Sequence, residues 1–113
     1  MRKLQEVITD LENRKKIGDL SPVDVGNFLV ELVPHHNELL KTLDEALHLQ
    51  AVAMAGEVNA GKPATVAKML VDAREISKTV RAAKTDVAFV EEYISSLKYL
   101  ARAYEKEYQY AKA

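Results

Sequence analysis

The side chains best suited to chemistry in this chain are its histidines and the carboxylates near them. Glu45 and His48 stand in Glu-x-x-His spacing, which in di-iron helical bundles points a carboxylate and an imidazole inward from one helix face. Such a centre needs a second copy of the motif and two further glutamates. The chain holds no second Glu-x-x-His, so the pair reads as a bundle-edge or surface feature. His35 and His36 follow Pro34, with Glu31 and Glu38 nearby. Adjacent helical positions diverge by about 100°, so the two rings do not face one ion. They are expected to cap backbone groups freed by Pro34 or to be solvated. Histidines without a Ser, Cys or paired-acid partner do not make an acid–base or nucleophilic site. No catalytic residue, metal ligand or cofactor is assigned, and the chain is expected not to be an enzyme.

Gly56-Glu57-Val58-Asn59-Ala60-Gly61-Lys62-Pro63 carries the two glycines and the lysine of a phosphate-binding loop at the right spacing. The final Ser or Thr, whose hydroxyl would hold magnesium, is replaced by Pro63, and the loop should follow a strand. Gly61 and Pro63 are explained instead by a helix stop and a helix start.

Arg74, Lys78 and Arg81, flanked by Lys68 and Lys84, are expected on the outward side of a helix, where they could follow a phosphate backbone. They are the candidate nucleic-acid contacts. A net charge of −1 supplies no global attraction to nucleic acid or an anionic membrane. Tyr93, Tyr99, Tyr104, Tyr108 and Tyr110 interleave with Lys98, Arg102, Lys106 and Lys112. Aromatics among cations can stack on bases, but tyrosine is also common in protein interfaces, and the interface reading is preferred.

The elements that must position these residues are helices. In 113 residues there is room for one domain, with 48% hydrophobic residues, no cysteine and no tryptophan. A core of Leu, Val and Ala suits closely packed helices, and the lack of cysteine removes disulfides and thiolate sites. No apolar run approaches the ~20 residues of a membrane span. The first residues lack the apolar stretch of a secretion signal. A soluble, cytoplasmic protein without a membrane partner is expected.

Leu4, Val7, Ile8 and Leu11 share one face of a first helix that ends at Gly18, with Arg14, Lys15 and Lys16 in its last turn. Ser21-Pro22-Val23-Asp24 reads as a helix start, with Ser21 as N-cap and Pro22 at the first helical position. That helix carries Val25, Phe28, Leu29, Leu32 and Val33 up to Pro34, where it is expected to kink or break. Periodicity then resumes through Leu40, Leu43, Leu47, Ala51, Met54 and Val58. Ala60-Gly61-Lys62-Pro63 is the clearest turn.

Residues 64–113 contain no Gly or Pro. Val66, Met69, Ala73, Ile76, Val80, Ala83, Val87, Val90, Ile94, Leu97, Ala101, Tyr104, Tyr108 and Ala111 follow steps of three and four without a slip. The register passes through Lys84-Thr85-Asp86, the one stretch resembling a new cap. A single helix over about 63–110 is predicted. Nearly fifty residues at about 1.5 Å each would span roughly 70 Å. The preceding helix can cover only its first half. The second half needs the N-terminal helices or another copy of the chain, and Leu70, Val71, Phe89, Tyr93 and Leu100 widen the stripe toward a bundle. Charge favours a hairpin: over residues 20–60, Asp24, Glu31, Glu38, Asp44, Glu45 and Glu57 stand against Lys41. Lys62, Lys68, Arg74, Lys78, Arg81 and Lys84 then stand against Asp72 and Glu75.

The stretch Ala55-Gly56-Glu57-Val58-Asn59-Ala60-Gly61-Lys62-Pro63-Ala64-Thr65-Val66-Ala67, leading into Ala73-Arg74-Glu75, resembles small helical-hairpin proteins of bacteriophages and prophages. The resemblance implies an uncharacterised phage accessory protein and transfers no functional residue. The expectation is therefore a single all-α domain over 1–113, an antiparallel hairpin or bundle with one long C-terminal helix and shorter N-terminal helices. It is a non-enzymatic interaction and assembly protein. Val87, Val90, Ile94, Leu97, Tyr104 and Tyr108 are the expected contacts with a second copy or a protein partner, which makes a homo-oligomer, dimer or higher. Nucleic acid is the alternative partner, through Arg74, Lys78 and Arg81.

Overall fold

A computed structural model describes residues 2–112, with side chains through Gln109. Four helices follow in order: α1 (Leu4–Ile17), α2 (Pro22–Asn59), α3 (Ala64–Asp72) and α4 (Glu75–Lys112). There is no strand among the described residues, and no helix there is long and apolar enough to cross a membrane. The all-α class and the long C-terminal helix are as predicted. The stripe position Ala111 and the side chains of Tyr110 and Lys112 lie outside the described side chains.

Helix ends are where the chain used local chemistry. Gly18 takes the left-handed conformation (φ 71°), its N–H donates to the Lys15 carbonyl at 3.2 Å, and the Asp19 N–H donates to Arg14 at 3.0 Å. That pair of bonds closes the C-terminus of α1 on its orphan carbonyls. At the start of α2 the Asp24 N–H donates to the Ser21 hydroxyl and the Ser21 N–H donates to the Asp24 carboxylate, both at 3.1 Å. Ser21 and Asp24 thus form a reciprocal cap, and backbone donation from Ser21 holds the Asp24 carboxyl below the usual range.

Two compact units divide the chain. The terminal unit comprises α1, the part of α2 up to Asn37 and the part of α4 from Phe89. Val7, Ile8 and Leu11 of α1, Val25, Phe28 and Leu32 of α2, and Val90, Ile94 and Leu97 of α4 are its buried apolar side chains. Each helix thus supplies three, spaced so that they fall on one face. Pro34 is inside α2, so of the kink or break expected there the break does not occur. It leaves the Val30 carbonyl without its helical donor, but the turn after it is anchored. The His35 Nε2 meets the Arg2 carbonyl at 2.8 Å and the His36 Nε2 meets Glu91 at 3.1 Å. Neither histidine caps the backbone freed by Pro34; both tie α2 to its neighbours.

The central unit is Glu38–Ala88 and contains the rest of α2, all of α3 and the start of α4. Its fully buried side chains are small: Ala46, Ala67, Val71, Ser77, Val80, Ala83 and Val87. Here one prediction is corrected. The long helix does not begin near residue 63; α3 stops at Asp72 and α4 starts at Glu75, with the chain bending at Ala73 and Arg74. Lys84-Thr85-Asp86, by contrast, is helical throughout. The break has an identifiable chemistry. The Arg74 N–H turns back to the Val71 carbonyl at 3.0 Å, and the Ser77 hydroxyl donates to the same carbonyl at 2.7 Å. The Gln50 amide donates in turn to the Ser77 hydroxyl at 3.1 Å, so that buried side chain is fully satisfied. A serine able to bond either its own turn or a more distant carbonyl gives the backbone an alternative to continuing the helix.

Candidate interaction surface

The polar chemistry of the terminal unit is taken up internally. Arg2 holds Asp10 at 2.9 Å and Glu31; Arg14 holds Asp10 at 3.2 Å and Asp24 at 2.9 Å, and it lies 5.6 Å above the Phe28 ring. These residues line a cleft of about 300 Å³. Hydrogen bonding from Arg2 first, and from Arg14, holds the Asp10 carboxyl below the ordinary range. Every charge there faces an opposite one, so the cleft is a cross-link between α1 and α2. Tyr93 carries a hydrogen bond to the Glu12 carboxylate, which with burial pushes its phenol up to about 12. Phe89 meets the Tyr93 ring edge-on at 5.2 Å, and Lys15 lies 5.6 Å above it.

The predicted contact residues are placed differently from expectation. Val90 and Leu97 are fully buried, Ile94 is 8% exposed and Val87 6%, all covered within a single chain. Tyr104 is half-buried, and its hydroxyl donates to the Leu20 carbonyl at 2.5 Å. The second half of the stripe found its cover in α1 and the start of α2, the first of the two partners considered for it. Core side chains cannot also meet a second molecule, which leaves Tyr108, 63% exposed, as the outward member of the six.

Arg74, Lys78 and Arg81 do not form one basic stripe. Arg74 lies in the bend before α4 and is ion-paired with Glu57. Lys78 reaches Glu75 at 3.1 Å. Arg81 alone of the three has no carboxylate partner among the described residues. Glu45 and His48 are both exposed, so neither points into a bundle interior. Among the described residues no three His, Asp or Glu side chains converge as a metal set. Gly56 to Asn59 of the phosphate-loop look-alike are the last residues of α2, and Gly61 turns the chain at φ 88°.

Exposed apolar side chains lie on both units: Val23 and Val30 of α2 in the terminal unit are 71% and 73% exposed, and the central unit has a cluster on α3. Val66, Met69 and Leu70 fall on one side of α3 and are 43%, 68% and 40% exposed. The opposite side of α3 holds Ala67 and Val71 in the core. Next to α3, a concavity of about 400 Å³ is lined by Leu47, Gln50, Ala51 and Met54 of α2 and by Lys68, Val71 and Asp72. Val58, farther along α2, is 45% exposed. One carboxylate secures both ends of α3. Glu57 accepts from Lys62, just before the helix, at 2.7 Å, and from Arg74, just after it. Lys62 first, then Arg74, holds the Glu57 carboxyl below the ordinary range. Periodicity alone assigned Val66 and Met69 to the core face. The signal for the bend was only Ser77, an ordinary helix residue until its tertiary partner Gln50 is known.

No known protein-family model matches this chain, and no curated protein or solved structure is significantly similar to it.

Proposed function

We propose that the chain is a non-enzymatic helical interaction protein that self-associates through its central unit. The observation that carries this reading is the outer side of α3. Val66, Met69 and Leu70 stand together in solvent on one side of α3, and the concavity with Leu47, Ala51 and Met54 opens on its other side, that of Lys68, Val71 and Asp72. Apolar side chains scattered singly need no explanation, but a nine-residue helix that turns three neighbouring apolar side chains outward supports a contact surface. The self-association contact thus moves from Val87–Tyr108 to Val66–Leu70. Nucleic-acid binding through Arg74, Lys78 and Arg81 is disfavoured by the carboxylates already held by the first two.

Light-scattering mass over a concentration series tests the reading. The wild-type chain, 12.6 kDa as a monomer, is expected to gain mass with concentration. Val66→Glu combined with Met69→Glu, both exposed, is expected to remain monomeric with an unchanged helical circular-dichroism signal. A wild-type chain that stays monomeric at high micromolar concentration overturns it.

A further inference from the structure

The apolar residues that α3 turns outward are also the ones that continue the stripe of α4. Val66, Met69 and Ala73 stand in unbroken three-four register with Ile76, Val80 and Ala83, yet α3 is turned so that Ala67 and Val71 face the core instead. In one continuous helix Ala67 and Val71 would fall on the side opposite the stripe, so Val71 does not widen it as expected from the sequence. Two incompatible faces of the same nine residues are therefore both apolar. Nothing between Ala64 and Ala83 forbids a continuous helix: the segment has no Gly or Pro, and the bend is held by the Ser77 bond to Val71 and the Glu57 clasp on Lys62 and Arg74.

From these observations we infer that the central unit has a second arrangement, in which α3 and α4 join as one helix and the partner is a second copy of this chain. Gln50 already lies opposite Ser77 across antiparallel α2 and α4. Counting outward from that pair, Ala73 comes level with Met54 and Met69 with Val58, so the straightened segment meets the apolar residues of α2 that are now only partly covered. Straightening also withdraws the buried Ala67 from the core and Val71 from its place beside Gln50, Ala51 and Met54. A two-helix hairpin cannot enclose a core, and two such hairpins can, as a four-helix bundle.

Charge selects a second copy as the occupant. Asp44 and Glu45 of α2, and Lys68, Arg81 and Lys84 of α3 and α4, make no ion pair among the described residues. Each central unit thus presents both an acidic and a basic set. In the register set by Gln50 and Ser77, Asp44 and Glu45 come level with Ala83 and Ala82 at one end and Lys68 with Asn59 toward the other. A copy turned end for end therefore brings the Lys68 of each chain toward the Asp44 and Glu45 of the other, the self-complementarity that an isologous contact requires. The inference rests on the self-association reading and adds the shape change that accompanies it.

The chain has no cysteine, so Thr65→Cys with Thr85→Cys gives two exposed labelling sites that flank the bend. Spin-label distances, measured after dilution into unlabelled chain, read the arrangement, and light scattering on the same sample reads the mass. In one helix the two positions lie about 30 Å apart, at about 1.5 Å per residue; the bent chain gives a shorter distance. The longer distance is expected to grow with the dimer fraction, and Glu57→Gln is expected to raise both several-fold. Glu75→Pro places proline at the first position of α4, where it is tolerated, but inside the continuous helix, where it is not. It is expected to abolish both the longer distance and the dimer. A dimer that retains only the short distance overturns the straightening and leaves self-association standing. A wild-type chain and a Glu57→Gln variant that both remain monomeric overturn the two together. Should Glu75→Pro lose its helical signal, the distances in Glu57→Gln decide.

Discussion

The terminal and central units are each made of three helical segments, but they are packed with different side chains. The terminal unit buries Ile8, Leu11, Phe28, Leu32, Ile94 and Leu97, whereas the central unit buries Ala46, Ala67, Ala83, three valines and Ser77. Buried apolar area stabilises in proportion to its size, about 25 cal/mol per Å², so the first has the stronger core. Its helices are also cross-linked by polar contacts, through the Arg2 and Arg14 network and the Tyr104 bond to Leu20. The second holds α3 through small side chains and leaves Val66, Met69 and Leu70 in solvent. A helix packed mainly through Ala67 and Val71 is easier to move than one anchored by Leu11 or Phe28. The larger core and the proposed contact surface thus fall in different parts of one chain.

The largest expected effect tests that division directly. Leu97→Ala, at a fully buried site, should lower stability by roughly 2–5 kcal/mol through lost burial and the cavity left behind. Val80→Ala in the central unit should cost less, about 1–2 kcal/mol, because it removes fewer buried groups from a smaller core. Urea denaturation measures both, and equal losses would break the comparison. Amide exchange gives it spatial detail: α3 should exchange faster than the middle of α1.

A smaller effect is expected at the start of α2. Ser21→Ala removes the acceptor for the Asp24 N–H and should cost about 1 kcal/mol, again by urea denaturation. A loss near zero would mean that Asp24 caps without its partner.

The smallest effects are those of pH, and they have opposite signs. Asp10 in the terminal unit and Glu57 in the central unit have carboxyls depressed by their cationic partners. Their contribution is present above the ordinary carboxylate range and is lost as pH falls through the lowered folded values. Tyr93 is raised to about 12; its contribution is present below the ordinary tyrosine value and disappears as pH rises through that raised one. Glu57→Gln should therefore flatten the acid limb and Tyr93→Phe the alkaline limb. Ultraviolet titration should show one phenol ionising near 12 in wild type and missing in Tyr93→Phe.

Local signals in the sequence were enough for helix ends and for most of one stripe. Gly18, Ser21, Pro22 and Gly61 each act through their own backbone or the next turn, so neighbouring residues suffice to read them. From Ile76 to Leu97 the three-four register names the side chains that are buried or half-buried, because a helix face is a matter of spacing. The same register misassigned Val66 and Met69. Periodicity reports which residues share a face, not which face the fold buries, and α3 is apolar on both. The cover over Val90, Ile94 and Leu97 was equally beyond spacing, since a stripe buried by its own chain and one buried by a copy look alike in one dimension.

What the sequence determined by itself is the all-helical character, the turn at Gly61 and the unbroken apolar register of the last fifty or so residues. Tertiary structure alone decided where that register is interrupted. Gln50 must come within reach of Ser77, and Glu57 within reach of both Lys62 and Arg74, before the bend at Ala73 and Arg74 gains more than one continuous helix would. Those contacts join α2 to residues beyond the turn, and their worth depends on distances that no local pattern contains.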